Sequence, residues 1–206
     1  MSISVYETSK MHVSIGEKEV IKTFKKRPGY KKRFKREKKA LQRLKGIDGF
    51  PQIISHRNST VVMSRVAGDN KEQLSNHSLK ELRVLVDNML EAGVARHAIP
   101  ERDLLIDDDK VSMVDFERIT LRRHRLSPSW LFAKKVTKFH LFRLISNHNS
   151  QLLTDDEKKE LETFTAVRAK LQNLKKVRSS FRKVIRTKAK AGNYTKKFES
   201  SNLRKD

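Results

Sequence analysis

The sequence predicts an α+β chain of two lobes: a small antiparallel sheet with one helix, then a mainly helical lobe that holds a two-stranded ribbon. Three observations predict it. Runs rich in β-branched and aromatic residues, broken by turn residues, fill most of the first 66 positions. Apolar residues recur at helical spacing from Leu79 onward. Two short strand-like runs then flank the acidic turn Asp107-Asp108-Asp109, so the second half is not purely helical.

The elements follow in order. ISVYET, HVSIG and EVIKTF, within residues 3–24, read as three strands, with Gly16 turning between the last two. KKRPGYKKR, residues 25–33, reads as a basic loop around a Pro-Gly turn. A helix is expected from Phe34 to Lys45, stopped by Gly46. GFPQII and STVVMSRV are two more strands, separated by the polar stretch Ser55 to Ser59. Leu79, Leu82, Val86, Met89 and Leu90 define the next helix, which Gly93 closes. RHAIPERD, residues 96–103, is a loop broken by Pro100, and LLI and VSMVDF are the ribbon strands. After Pro128 the chain reads as helical throughout, and Thr154-Asp155-Asp156-Glu157 has the pattern of a capping box. This divides the chain into an N-terminal lobe over 1–66, a helical lobe over 67–169 and a basic extension over 170–206.

Composition narrows the function. The 206 residues carry 47 Lys and Arg against 24 Asp and Glu, a formal net charge of +23, which points to an anionic partner. Without cysteine there are no disulfides, thiolate metal sites or thiol nucleophiles. The N-terminus lacks the basic and apolar regions of a secretory signal, and no apolar run is long enough to span a bilayer. The expectation is a cytoplasmic protein, with room for a peripheral position on the inner face of the membrane. The extension holds 13 basic residues and two acids, Glu199 and Asp206. Its aromatics, Phe181, Tyr194 and Phe198, make a poor stacking platform, so nucleic acid is a weaker fit than anionic lipid. The helix over 130–145 suits burial in a helical lobe better than an interfacial position.

Two constellations carry chemistry. Phe34, Leu41 and Leu44 share one helical face, and Glu37 lies on it too. A carboxylate on an apolar stripe needs a cation. Strand alternation puts Lys22 on the face of Val20 and Phe24, so a Lys22–Glu37 pair satisfies both groups; the alternative is a surface pair with Arg33. In the ribbon, Asp103 precedes one strand and Asp115 ends the other. Converging carboxylates in so basic a chain suit Mg²⁺ bridging to phosphate oxygens, whereas taken alone they read as loop caps. The seven histidines lack metal-ligand spacing, and only His97, in the loop ahead of the aspartates, invites a role. Arg96 and Arg102 beside it are placed to meet phosphate or orient Asp115, or stand as solvated charge.

The order Val20-Ile21-Lys22, Glu37 on a helix, VVMSRVAG, a long helix, RHAIPERDLLI and VSMVDFE resembles the protein-kinase-like fold over residues 1–125. The resemblance implies ATP and Mg²⁺ as cofactors, with Lys22 on the phosphates and Glu37 ordering it. It implies that Val62 to Arg65, Met63 and Arg65 among them, form the hinge that meets adenine, and that Asp103 and Asp115 hold the metal. Within that superfamily the DFE variant, the small size and the segment from Ser127 are similar to bacterial lipopolysaccharide-core sugar kinases and their InaA-like relatives, with the RIO-like protein kinases as the next branch. The implied activity is phosphoryl transfer to a hydroxyl on an anionic acceptor, a lipopolysaccharide-type sugar above all. Two departures stand against it. The position of the usual base Asp is Ala98, leaving His97, Glu101 and Asp103 to accept a proton, and HVSIG has one Gly where a phosphate-covering loop is glycine-rich. The rival readings are a pseudokinase scaffold and a basic nucleic-acid-binding protein.

Overall fold

In the computed structural model residues 4–170 and 172 are described. Contacts divide the chain into a unit that closes at Glu157 and a second that begins at Lys158. Residues 158–169 thus fall in the second unit, and the basic extension, apart from residues 170 and 172, lies outside the described residues.

Five antiparallel strands form the N-terminal sheet in the order β1-β2-β3-β5-β4: β1 Ser4–Glu7, β2 Met11–Ile15, β3 Glu19–Phe24, β4 Ile53–Arg57 and β5 Thr60–Ser64. Alternation along β3 buries Lys22 and Phe24, with Lys22 opposite Val13 on one side and Val61 on the other. Helix α1, Tyr30–Arg43, crosses between β3 and β4 and buries Glu37, Ala40 and Leu41. Its Phe34 meets Phe24 edge-on, ring centroids 6.0 Å apart.

Two boundaries differ from expectation. Helix α1 starts at Tyr30 rather than Phe34, because Gly29 at φ +81° turns the chain directly into it. The cationic residues Lys31 and Lys32 are exposed, so this first turn has no apolar phase to reveal it. Strand β4 runs through the stretch read as polar loop, and the turn is at Asn58, φ +52°. That strand is an exposed sheet edge, where polar side chains cost nothing. The GFP segment ahead of it packs instead, with Phe50 edge-on to Phe116 at 5.8 Å.

The C-terminal part begins with α2, Asn76–Glu91, capped by the Ser75 hydroxyl, which accepts from the Ser78 amide at 3.0 Å. Next comes β6, Val94–Arg96, which takes in the first residue of the expected loop; it pairs with β9, Ile119–Leu121. A 3₁₀ turn, Glu101–Asp103, leads into the ribbon β7, Leu104–Asp107, and β8, Lys110–Met113, joined through Asp108 at φ +53°. The second ribbon strand stops short of VDF because Asp115 adopts φ +65°. Helix α3, Pro128–Asn149, buries residues on more than one side, and the Thr137 hydroxyl donates to the Arg96 carbonyl at 2.7 Å. The capping box forms: the Thr154 amide donates to Glu157 at 3.0 Å and the Glu157 amide to Thr154 Oγ1 at 3.3 Å.

Candidate active site

A cavity of about 740 Å³ opens between the sheet and the ribbon, with Lys22, Met63, Arg65, Asp103 and Asp115 all on its wall. Gly68, in the segment linking β5 to α2, is also there. That segment is pinned to the ribbon by reciprocal backbone bonds between Asp69 and Ile106 at 3.1 and 2.9 Å, and Asn70 Nδ2 donates to the Leu104 carbonyl. At Gly68, φ +101°, a Cβ would fall 2.6 Å from the Ile106 carbonyl carbon, so only glycine permits this approach. The sequence reading gave residues 67–70 no role.

Lys22 Nζ donates to Glu37 Oε1 at 2.7 Å, with Lys22 7% exposed and Glu37 fully buried. The same ammonium lies 3.9 Å from Asp115 Oδ1. Burial works to lower Lys22, but Glu37 and Asp115 outweigh it and hold the ammonium above the ordinary lysine range. Burial pushes Glu37 up, and Lys22 works against that rise. Glu37 Oε2 is buried with no hydrogen-bond partner, so Lys22 is the carboxylate's one anchor among the described residues. Arg33, the alternative partner, instead places Nε 3.5 Å from Glu117.

Asp115 stays open. Its side chain is 43% exposed, and Oδ1 accepts from the Glu117 amide at 3.3 Å, a local turn that helps a non-glycine residue hold a positive φ. Asp103 is different. Arg96, 5% exposed, donates Nη2 to Asp103 Oδ2 at 2.5 Å and Nη1 to the Val114 carbonyl at 2.8 Å, while its guanidinium lies over Phe116. Burial pushes the Asp103 carboxyl up, Arg96 opposes this, and the like charge of Asp115 adds to it. Arg96 is thus neither a phosphate contact nor solvated charge but a buried clamp; Arg102 is largely in solvent.

The structure brings Lys22, Glu37, Asp103 and Asp115 together and leaves His97 out. His97 bonds Thr120 Oγ1 at 2.9 Å and is not on the cavity wall. Burial lowers its pKa, and the nearby Arg36 and Arg118 lower it further. Glu101 turns to His148, whose Nε2 is 3.4 Å away. Of the three residues considered as proton acceptors, only Asp103 is on the cavity wall, and there its Oδ2 is held by Arg96. The expected hinge residues Met63 and Arg65 are on the cavity wall, with part of their backbone engaged in the sheet. Met63 is paired within the sheet to Val20 and Ile53, the Ser64 amide donates to Gln52 and the Arg65 amide to Lys18. The first backbone positions free of the sheet are Val66 and Ala67.

Sequence reasoning missed Glu117 as a joint. Its carboxylate lies 3.4 Å from Lys10 Nζ and 3.5 Å from Arg33 Nε, tying the β1–β2 turn and α1 to the exit of the ribbon. An acid directly after Asp115-Phe116, followed by no other acid until Asp155, was the available signal. Among the described residues no three acidic or histidine groups converge as a metal cage. Mg²⁺ needs only one or two carboxylates when phosphates supply the rest, so the open Asp115 beside Lys22 fits it as part of a nucleotide complex.

This sheet, helix, linker and ribbon form a protein-kinase-like fold. Solved structures similar to it include the Rio2 kinase from Chaetomium thermophilum, with TM-score 0.58, 14% identity and coverage of 79% of this chain and 63% of that one. The Rio2 kinase-ADP/Mg²⁺-phosphoaspartate complex from the same organism gives TM-score 0.56, 14% identity, and coverage of 79% and 61%. The chain spans about three-fifths of the length of those structures. No family model and no curated protein matches the sequence. The likeness carries the kinase-like fold and lends no support to the narrower lipopolysaccharide-kinase grouping.

Proposed function

We propose that this chain is an ATP-dependent phosphotransferase acting on a hydroxyl of an anionic acceptor. The observation that carries this reading is the buried Lys22–Glu37 pair, whose ammonium also reaches to within 3.9 Å of the open Asp115 carboxylate on the wall of the cleft. A lysine held charged, with its stem enclosed, neutralises phosphate oxygens without a conformational search. Met63 lines the pocket, and the backbone at Val66, a lining residue free of the sheet, would offer the adenine edge its hydrogen bonds. Mg²⁺ held by Asp115 would neutralise charge on the terminal phosphates. Asp103, clamped by Arg96 through Oδ2, keeps Oδ1 as the atom that would serve as a second ligand.

The acceptor hydroxyl attacks in line with the leaving oxygen, and Ala98 supplies it no base. A general base contributes about 10²–10⁴-fold, so turnover is slow, resting on positioning and charge neutralisation. Lys10 and Arg65 on the wall favour an anionic acceptor. A phosphorylated sugar of lipopolysaccharide type at the cytoplasmic membrane face fits that charge, and an acidic protein segment with Ser or Thr is the RIO-like counterpart. Ala98 and the Arg96–Asp103 clamp favour a second reading, a scaffold that binds nucleotide without transferring phosphate.

Thermal stabilisation by ATP with Mg²⁺, and release of labelled phosphate, test the proposal together. The parent gains stability and turns over. Lys22→Ala loses both effects, and Asp115→Asn loses the Mg²⁺-dependent part. Stabilisation without turnover selects the scaffold, and indifference of both variants removes the nucleotide site altogether.

A further inference from the structure

The first turns of α3 carry an apolar surface that the fold leaves open. Leu131, Phe132 and Lys135 follow Pro128 at i+3, i+4 and i+7, so the four share one helical face. It is opposite the face that packs inward through Trp130, Ala133 and Thr137. Leu126 precedes the N-cap Ser127, and Leu131 is the fourth helical residue, the two positions at which a hydrophobic staple closes over a helix start. Here both staple residues stand in water. Leu126 is 73% exposed, Leu131 45% and Phe132 65%. Single exposed apolar residues are ordinary, but three large ones at one helix start form a patch.

The chain segment that carries this patch has charge of one sign. Between Glu117 and Asp155 the sequence has no acidic residue and eight Lys and Arg. Arg123, Arg125, Lys134 and Lys135, all exposed, stand within three residues of the apolar side chains along the chain. An apolar tip with cations close by in the chain is complementary to a surface with anionic groups outside and hydrocarbon beneath. We infer that the start of α3 is a docking surface for an anionic lipid bilayer, with Leu126, Leu131 and Phe132 entering the headgroup boundary and the flanking cations meeting headgroup phosphates.

A nucleic acid fits this surface less well. It satisfies the cations and offers Phe132 a base to stack on, but it gives two leucines nothing apolar to bury against. The attachment lies on the bilayer rather than crossing it, since no described helix is long and apolar enough to cross a membrane. It also needs both of its parts. A small apolar tip alone gives marginal, reversible binding, and each nearby cation adds about fivefold on an anionic leaflet. The inference stands apart from the nucleotide reading, because no residue of the patch lines the cleft.

Co-sedimentation of the full chain with phosphatidylcholine vesicles, with and without phosphatidylglycerol, tests it. The parent binds the anionic vesicles and is left in solution by the neutral ones. The double substitution Leu126→Ser with Phe132→Ser keeps every charge and lowers the affinity about tenfold or more, since burial of each such side chain is worth at least that factor. Both side chains are exposed, so the thermal midpoint is unchanged. Phe132→Trp gives blue-shifted emission on vesicles that brominated acyl chains quench, read against the parent, whose one Trp, Trp130, is buried. Equal binding by the parent and the double serine variant overturns the inference, because charge elsewhere then suffices. Failure of brominated chains to quench the added indole of vesicle-bound Phe132→Trp overturns it too, as does a parent that ignores anionic vesicles while binding homopolymeric RNA or an acidic protein through this patch.

Discussion

Replacing Lys22 by Met removes a charge while keeping the volume of its stem, and the structure fixes what must follow. Glu37 is fully buried, its Oε1 is bonded to Lys22 at 2.7 Å, and its Oε2 has no partner. In Lys22→Met the carboxylate is therefore left buried with no cation, which costs about 3–5 kcal/mol. Burial already raises Glu37, and Lys22 is the group that opposes the rise, so the variant's carboxyl titrates higher still. A carboxyl whose folded pKa exceeds its unfolded one gives stability that is complete below the unfolded pKa and lost as pH rises through the folded pKa. The deficit of Lys22→Met against the parent is thus largest above neutral pH and shrinks on acidification, when Glu37 takes a proton. Glu37→Gln costs less, about 2 kcal/mol, because Lys22 still has Asp115 at 3.9 Å. Lys22→Met combined with Glu37→Leu recovers most of the loss, since an apolar replacement of a buried pair is often close to neutral. Urea unfolding of the four proteins at acid and alkaline pH reads all of this. A Lys22→Met deficit under about 1 kcal/mol, or one that grows on acidification, refutes the account of the pair.

Gly68→Ala should destabilise by about 3 kcal/mol or more, since its Cβ would meet the Ile106 carbonyl at 2.6 Å and the Asp107 amide at 2.8 Å. Gly46→Ala, at φ +78° with open space around it, should lose only about 1–2 kcal/mol in the same denaturation assay. His97 has a depressed pKa, so its contribution is present above the ordinary histidine pKa and is lost as pH falls through the folded value. His97→Gln should accordingly flatten the decline of the unfolding midpoint between neutral and mildly acidic pH. Arg96→Met leaves Asp103 buried beside Asp115 and should cost about 3–5 kcal/mol, whereas Asp103→Asn with Arg96 intact should cost less, as hydrogen exchange of the ribbon amides would show.

The pair at the centre of the cleft was legible because both partners violate a local pattern. Lys22 interrupts the inward face of a strand that holds Phe24, and Glu37 interrupts the apolar stripe of Phe34, Leu41 and Leu44, so each advertises a need for the other. The start of α1 carried no such signal, because cations on a solvent face have no phase. Strands β6 and β9 were missed for a related reason. Each is three residues long, and Val94–Arg96 finds its partner only across an intervening ribbon. The Arg96–Asp103 clamp was hidden by proximity: residues seven apart across a Pro-containing loop have no fixed geometry until β6 and the ribbon set it. His97 looked catalytic from its sequence position alone, and the β6–β9 pairing carries it to Thr120 instead.

The acids around the cleft are assigned unequally, and that inequality bears on chemistry. Glu37 is taken by Lys22, Asp103 by Arg96 through Oδ2, and Glu117 by Lys10 and Arg33, which leaves Asp115 as the most exposed carboxylate of these four. A ligand that enters meets the cations Lys10, Lys22 and Arg65 together with the exposed acid Asp69 and the part-exposed Asp115, an arrangement suited to a polyanion that brings a metal ion with it. It is poorly suited to pulling a proton from a hydroxyl. In phosphoryl transfer through a loose transition state, though, bond formation to the attacking oxygen is little advanced, and most of the catalytic work lies in holding and neutralising the phosphate. Loss of a base then slows such a reaction without changing its course. Loss of the Lys22 ammonium takes away the charge that phosphates need, and so, on the proposed phosphotransferase reading, the lysine rather than any proton acceptor is the residue on which activity turns.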